Sequence, residues 1–216
     1  MKRLFYLFCI LIVLLVIGCS TSTKSSHTEL FNGRDFTGWT FVLADSSVNA
    51  KDVWHVESGV IYCQGVPNGY MRTVEAYSNY HLHVEWRWAE NPTNSGVFLH
   101  CQLPDQVWPN AFECQLMADH AGDFVLIGAG SVTVGDTTYA ITEGFEIIDK
   151  QHESSEKPVG EWNAYDITSE GSTIVAKVNG VIQNIGTDTA LKSGFIALQS
   201  EGSPIEFRNV WIEPVN

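Results

Sequence analysis

The chain has 216 residues, with 12 Lys and Arg against 25 Asp and Glu, so its formal net charge is −13 at pH 7. A surface this negative repels phosphates, and the chain has no basic stripe, which excludes nucleic acid as a partner. A chain of this size buries roughly 70% of its unfolded surface, and we expect one large domain after the N-terminal segment.

The N-terminus has the pattern of a secretory signal peptide that ends at a lipid-attachment cysteine. Lys2 and Arg3 precede an apolar stretch over residues 4–17, and Gly18 and Cys19 follow. The stretch of about 14 residues is shorter than the roughly 20 that a membrane-spanning helix needs, although a short anchor is the alternative. Cys19 stands at the position that a lipobox requires for lipidation.

We therefore divide the chain into a signal peptide (1–18), the lipidated Cys19 with a polar tether (19–28) and a globular domain (29–216). Removing residues 1–18 takes away two basic residues and no acid, which leaves a net charge of about −15. No Asp follows Cys19. We expect a protein anchored in the cell envelope, at the outer membrane, on its periplasmic or its surface face.

From Leu30 onward, short runs rich in β-branched and aromatic residues alternate with Gly, Asn, Pro and Ser, which predicts an all-β domain. The clearest element is a hairpin over residues 172–185, because Asn179-Gly180 suits a type I′ turn. Ten or more strands favour a sandwich of two sheets. The other predicted strands are 53–56, 60–63, 80–89, 96–103, 111–117, 123–127, 162–168, 194–199 and 205–212.

Apolar and polar side chains alternate in residues 81–88, 97–102 and 112–116. The apolar set, expected in the core, is Leu82, Val84, Trp86, Trp88, Val97, Leu99, Cys101, Phe112, Cys114 and Leu116. If these strands are neighbours in one sheet, its other face gathers Glu85, His100, Glu113 and Gln115. That face is either a binding cleft or a solvated surface.

Two loops and the cysteines add weaker signals. Trp108 lies between two prolines and either presents its ring to a sugar or caps the core. The charged stretch 142–158 is either a lid or a solvated excursion. Cys63, Cys101 and Cys114 lack metal-type spacing, allow at most one disulfide and are interpreted as buried small hydrophobes.

Six segments in order resemble one family, the 3-keto-disaccharide hydrolase domain, from about Glu29 to Pro214. The segments are Leu30-Phe-Asn-Gly-Arg-Asp-Phe-Thr-Gly-Trp39, Asn94-Ser-Gly-Val-Phe98, Phe112-Glu-Cys-Gln115 with Gly122-Asp123, Gly160-Glu-Trp-Asn163, Asn179-Gly180 and Phe207-Arg-Asn-Val210. The resemblance implies a concanavalin A-like jelly roll of two curved antiparallel sheets with a sugar site on the concave face. It also implies glycosides oxidised to a ketone at C3 as the substrate class.

Such a ketone acidifies the C2 proton, so that a base removes it, the aglycone leaves C1 by β-elimination and water adds to the enone. We expect Glu113 to be the base, because a carboxylate in an apolar cleft has a raised pKa. His100 is expected as the acid or as ligand of a divalent metal ion, whose involvement stays open. The expected substrate-binding residues are Gln115, Glu85, Arg72, Asn163, Trp108 and Gln199.

Each assignment has a structural alternative. Glu113 is otherwise an ion-pair partner of Arg72 or Arg87, and His100 a surface or core histidine with a structural role. The chain also departs from the family pattern, because Glu201 stands where Leu-Gln-x-His-Gly would have histidine. That difference puts activity and metal use in question.

Three functions compete at this point. The first is an exported enzyme that cleaves 3-keto-glycosides, and the second is a non-catalytic carbohydrate-binding lipoprotein that uses the same face. The third is a conventional jelly-roll glycosidase with paired acids, which the strand Glu113-Cys-Gln-Leu-Met117 disfavours because it has no second acid at i+2 or i+4.

Overall fold

The computed structural model describes residues 27–215. The predicted signal peptide, Cys19 and all of the tether before His27 lie outside this range. The described chain has one short helix and seventeen strands. They are β1 (Thr28–Glu29), β2 (Trp39–Leu43), α1 (Ala50–Val53), β3 (Trp54–Glu57), β4 (Val60–Cys63), β5 (Gly69–Thr73), β6 (Tyr80–Trp88), β7 (Gly96–Cys101), β8 (Ala111–Gln115), β9 (Phe124–Ile127), β10 (Gly130–Val134), β11 (Thr137–Ile141), β12 (Phe145–Ile148), β13 (Asn163–Glu170), β14 (Thr173–Val178), β15 (Val181–Thr187), β16 (Phe195–Ser200) and β17 (Ile205–Pro214).

The strands form two antiparallel sheets, which confirms the predicted jelly-roll sandwich. The larger sheet has the order β11-β10-β15-β14-β13-β6-β17-β4-β3, with β1 paired to β17. The smaller sheet has the order β12-β9-β8-β7-β16-β5-β2. Strand pairing begins at Thr28, which faces Ile212, so the last tether residue already belongs to a sheet.

The core lies between the two sheets and follows the alternation read from the sequence. Every second side chain of β6 is buried, from Tyr80 to Trp88. Trp86 packs against Tyr165 of β13, with ring centroids 5.6 Å apart. From the other sheet, Phe112 contributes to the same cluster. Burying one such side chain stabilises the fold by roughly 1.5–3 kcal/mol, and the cluster spans both sheets.

The hairpin at Asn179-Gly180 has the expected turn. Asn179 has φ 51° and Gly180 has φ 82°, so both central residues are in the left-handed region that a type I′ turn requires. The turn joins β14 to β15, which pair in antiparallel register from Val178 and Val181 onward.

Several strands were not predicted, and their patterns explain why. The central residues of β5, Tyr70 and Met71, are both buried, so this strand shows no apolar–polar alternation. In β12, Phe145 and Ile147 are exposed although the strand belongs to a sheet. Alternation detects a half-buried strand and misses strands that are covered on both faces or that lie at a sheet edge.

The three described cysteines, Cys63, Cys101 and Cys114, are free thiols and all are buried, which confirms their interpretation as small hydrophobes. No helix within residues 27–215 is long and apolar enough to cross a membrane.

Candidate active site

The outer face of the smaller sheet, opposite the core, carries a cleft of about 730 Å³. Glu113 and Gln115 of β8 point into it, since their neighbours Phe112 and Cys114 belong to the core cluster. The side chains that line this cleft come from β8, β9, β12, the end of β16, the segment before β7 and the loops that precede β8 and β12. They are Asn94, Gln106, Trp108, Asn110, Glu113, Gln115, Val125, Ile127, Thr142, Glu143, Phe145, Ile147, Gln199 and Glu201.

One end of the cleft is apolar because of the register of β12, β9 and β8. Phe145 faces Ile127 and Ile147 faces Val125, while Val125 in turn faces Glu113. Phe145 is 70% exposed and Ile147 is 48% exposed. The apolar wall therefore ends directly beside the Glu113 carboxyl group.

Glu113 is buried, and no ion pair among residues 27–215 balances its charge. Its side chain is 4% exposed, and its Oε1 has no hydrogen-bond partner in the described part of the chain. Burial, followed by the charge of Glu201, raises the pKa of Glu113 well above its usual range. The alternative ion pairs are wrong, because Arg72 binds Asp105 and Arg87 binds Glu206.

A glycine makes room for this carboxyl group. Gly96 of β7 faces Gln115 across the sheet, two positions along the strands from the pair of Phe98 and Glu113. A Cβ atom on Gly96 would overlap Oε1 of Glu113. The absence of a side chain at position 96 is therefore what allows Glu113 to lean across β7.

The second carboxyl group of the cleft belongs to Glu201, just after β16. Gln199 Nε2 donates to Glu201 Oε2 over 2.8 Å, and Asn94 forms a β-bridge with Glu201. Burial raises the pKa of Glu201, although hydrogen bonds from Gln199 and Asn94 oppose the rise. Within residues 27–215, Gln199 Oε1 and Asn94 Oδ1 are buried and have no hydrogen-bond partner. Such acceptors match the hydroxyl donors of a sugar.

The structure places Trp108 and Arg72 differently with respect to the cleft. Trp108 is 45% exposed and lines the cleft, so its ring is available to a ligand. Arg72 Nε and Nη2 each donate to Asp105 over 2.7 Å, and the guanidinium group lies 4.2 Å from the ring centroid of Phe195. Through Asp105, Arg72 thus anchors the loop that carries Trp108 to the smaller sheet.

The expectation that Glu85 shares this face is wrong. Glu85 lies on β6 of the larger sheet, where it accepts hydrogen bonds from Arg208 Nε at 2.6 Å and Asn209 Nδ2 at 2.7 Å. Alternation assigned Glu85 to the correct side of its own strand. The error arose because β6 and β8 belong to different sheets.

The expectation that His100 shares this face is also wrong, because β7 contains a bulge at this residue. His100 has φ 55°, and the pairing of β7 with β16 shifts register here. The bulge reverses the alternation, so that Cys101 packs with Phe98 on the outer face. His100 instead lies inward, edge to face with Tyr80 at 5.9 Å.

The hydrogen bonds of His100 describe a neutral structural ring. Its Nδ1 donates to the Leu191 carbonyl over 3.0 Å, and its Nε2 accepts from Ser169 Oγ at 3.2 Å. Burial lowers the pKa of His100 to about 4, against the opposing hydrogen bond to Leu191. Asn163 is likewise structural, since its Oδ1 accepts from Lys157 N and Asn179 Nδ2 at 2.8 Å in the larger sheet.

The described residues do not fit the divalent metal ion that the sequence left open. Both ring nitrogens of His100 are engaged within the protein. Among residues 27–215, no group of three or more His, Cys, Asp or Glu side chains is arranged to hold a metal ion.

We expect the substitution His100→Asn to lower stability far more than turnover. Asn tolerates the left-handed backbone but leaves Leu191 or Ser169 without its partner, which costs about 1–3 kcal/mol. In the wild type, the unfolded chain gains a proton at His100 below about pH 6.5 while the folded protein does not until about pH 4. Stability from this group is therefore lost as pH falls through that window.

Urea unfolding of the wild type and the variant at pH 7 and pH 5 measures the loss of stability and its pH dependence. The Asn variant should lack the part of the pH dependence that comes from His100. Unchanged stability together with lost turnover would instead restore His100 as a catalytic residue.

Three features of the cleft were not predicted from the sequence: Asn94, Glu201 as a cleft residue, and the apolar wall of Phe145 and Ile147. Glu201 had a signal, namely its departure from the family pattern, but nothing in the sequence placed it near Glu113. Asn94 begins the run Asn94-Ser-Gly96, whose residue types are typical of a turn. Phe145 and Ile147 alternate over too short a run to be separated from a loop.

The comparisons with solved structures agree with the fold. The chain is 24% identical to a proposed glycosyl hydrolase from Parabacteroides distasonis ATCC 8503, with a TM-score of 0.64 over 88% of this chain and 94% of that chain. It is 14% identical to a Bacillus licheniformis beta-glucanase, with a TM-score of 0.56 over 87% of this chain and 96% of that chain.

A carbohydrate-binding module, CBM66 from Bacillus subtilis, shares the same architecture. It is 12% identical, with a TM-score of 0.57 over 80% of this chain and 93% of that chain. At such identities the likeness concerns the fold, and this fold carries both enzymes and binding modules.

No protein in a collection of curated sequences matches the chain. One family profile, described as the 3-keto-alpha-glucoside-1,2-lyase-like domain, matches residues 26–213. The match spans nearly the whole described domain and confirms the resemblance read from the six segments. The chain therefore belongs to the 3-keto-alpha-glucoside-1,2-lyase-like domain family.

Proposed function

We propose that this protein is a carbohydrate-active enzyme that cleaves 3-keto-glycosides by removal of the C2 proton, β-elimination and hydration. The observation that carries the proposal is Glu113, a buried carboxyl group in an open cleft, whose Oε1 has no hydrogen-bond partner within the described residues. A carboxyl group held this way has a raised pKa and transfers protons near neutral pH.

The remaining cleft residues match the needs of a sugar substrate. Asn94 Oδ1 and Gln199 Oε1 are acceptors without partners in the described chain, and sugar hydroxyl groups are donors. Gln115, two residues from Glu113 on β8, carries an amide group whose N–H is a donor of the type a ketone oxygen needs. Trp108 offers a ring face, and the apolar wall at Phe145 suits the aglycone.

The same cleft would serve a carbohydrate-binding lipoprotein, but Glu113 favours the enzyme. A binding site gains nothing from a carboxyl group that is desolvated and unpaired, because such burial costs free energy. An enzyme gains a proton-transfer group from the same arrangement.

The test is release of the aglycone from 3-keto-glucosides with methyl, glucosyl and 4-nitrophenyl aglycones, beside the unoxidised parents. The soluble domain from Ser20 onward is the protein to use. We expect cleavage of the keto forms and none of the parents. Saturable sugar binding without any cleavage would support the non-catalytic function instead.

We also propose that the protein is a lipoprotein of the cell envelope, anchored through Cys19 at the outer membrane. The support is the order of charged residues, apolar stretch and Cys19 in residues 1–19. Labelled fatty acid should be incorporated into the full chain and lost in Cys19→Ser. Label that persists in this variant would contradict the anchor.

A further inference from the structure

Two carboxyl groups approach the same gap in the side-chain layer of the cleft. From β8, Glu113 leans over Gly96, with its Oε1 where a Cβ atom of residue 96 would stand. On the other side of β7, Leu198 faces Val97, so the next residue pair in this register is Gln199 and Gly96.

Glu201 reaches toward this gap from the β16 side. Its Oε2 accepts the hydrogen bond of Gln199 Nε2, and Gln199 lies directly across from Gly96. Glu113 and Glu201 both line the same cleft, and the nearby charge of Glu201 adds to burial in raising the pKa of Glu113. No ion pair within residues 27–215 includes Glu113 or Glu201, so no basic side chain of this range neutralises either carboxyl group by direct contact.

The hydrogen bonds assign the proton that such a pair shares. Glu201 receives an N–H donor and is partly exposed, and both conditions stabilise a carboxylate. No donor among the described residues reaches Oε1 of Glu113, and the residue is buried, so the neutral acid is its stable form. Two carboxyl groups that interact in this way hold one proton between them over a wide pH range.

We propose that Glu113 and Glu201 form one acid–base pair across Gly96, in which Glu201 removes the C2 proton and Glu113 protonates the leaving oxygen. This inference rests on the proposed function and exchanges the role that the sequence suggested for Glu113. It assigns catalysis to the residue at which the chain departs from the family pattern.

The proton transfers balance over one turnover. In the elimination, Glu201 takes the C2 proton, the C–H electron pair forms the C1=C2 double bond, and the C1–O pair leaves with the aglycone oxygen. That oxygen takes the proton of Glu113. In the hydration, Glu113 takes a proton from water as the water oxygen bonds to C1, and Glu201 returns its proton to C2. Water is consumed, and both carboxyl groups recover their starting forms.

The two roles are separated by a substrate analogue that has a C2 proton and no leaving group, the 3-keto form of 1,5-anhydroglucitol. Exchange of its C2 proton in D₂O, followed by NMR, requires the base and not the acid. We expect the wild type to accelerate the exchange, Glu113→Gln to retain it and Glu201→Gln to reduce it by about 10²- to 10⁴-fold. Glu201→Asp should recover part of the exchange, since it keeps the carboxylate.

The matched control is Glu146→Gln, which removes an exposed carboxylate from β12 at a position opposite in alternation to Phe145 and Ile147. It should leave the exchange at the wild-type rate. Exchange that is lost in Glu113→Gln and kept in Glu201→Gln, or kept in both, would overturn the assignment. A wild type that accelerates neither exchange nor cleavage would overturn the proposed function itself.

Discussion

Glu113→Gln should reduce the cleavage of methyl 3-keto-glucoside by about 10²- to 10⁴-fold, the usual loss when a proton-transfer group is removed. The rate of cleavage of the 4-nitrophenyl substrate should fall much less, because its leaving oxygen needs no proton donor. Gln keeps the size of the side chain and removes the transferable proton. Rates of aglycone release from the two substrates give the comparison.

The same variant should be more stable than the wild type at neutral pH. Above about pH 4.5, the unfolded chain releases the Glu113 proton while the folded protein retains it, because burial and Glu201 raise the folded pKa. The folded state then binds more protons, and the free energy of unfolding falls as pH rises. The side chain of Gln does not titrate, so the Glu113→Gln variant lacks this pH dependence. Its free energy of unfolding should therefore exceed that of the wild type by an amount that grows from pH 5 to pH 8.

Urea unfolding over that range tests the stability claim, with Glu146→Gln as the control for charge removal. A Gln variant with full turnover would exclude Glu113 from catalysis. A Gln variant that is active and less stable would identify Glu113 as a structural residue.

Gly96→Ala should reduce turnover by about 10²-fold, the loss expected when a reacting group is displaced by about 1 Å. The new methyl group would overlap Oε1 of Glu113 and force the carboxyl group toward the cleft. The backbone at Gly96 does not have a positive φ, so Ala itself fits the strand and the effect arises from Glu113.

Gly130→Ala is the matched control, because it also lacks a positive φ and its added Cβ would lie 3.6 Å from Leu126. It should retain wild-type turnover. If Gly96→Ala is fully active, the carboxyl group of Glu113 does not need to lie over residue 96, and the paired arrangement with Glu201 loses its basis.

The all-β architecture, the hairpin and the faces of β6 and β8 were determined by the sequence itself. Local sterics and the alternation of side chains act within one strand. They therefore assign Glu113 and Gln115 to one face of β8, whichever strands lie beside it. Asn179-Gly180 determines its turn for the same reason, since both residues accept a positive φ.

Other features depended on the tertiary structure. Alternation does not tell which of two sheets a strand joins, and this is why Glu85 is separated from Glu113. A bulge reverses alternation from one residue onward, and this is why His100 lies in the core. Glu201 approaches Glu113 because β16 pairs with β7, about 100 residues away in sequence. Such long-range pairing reflects the packing of the whole sandwich, and no local pattern near Glu201 encodes it.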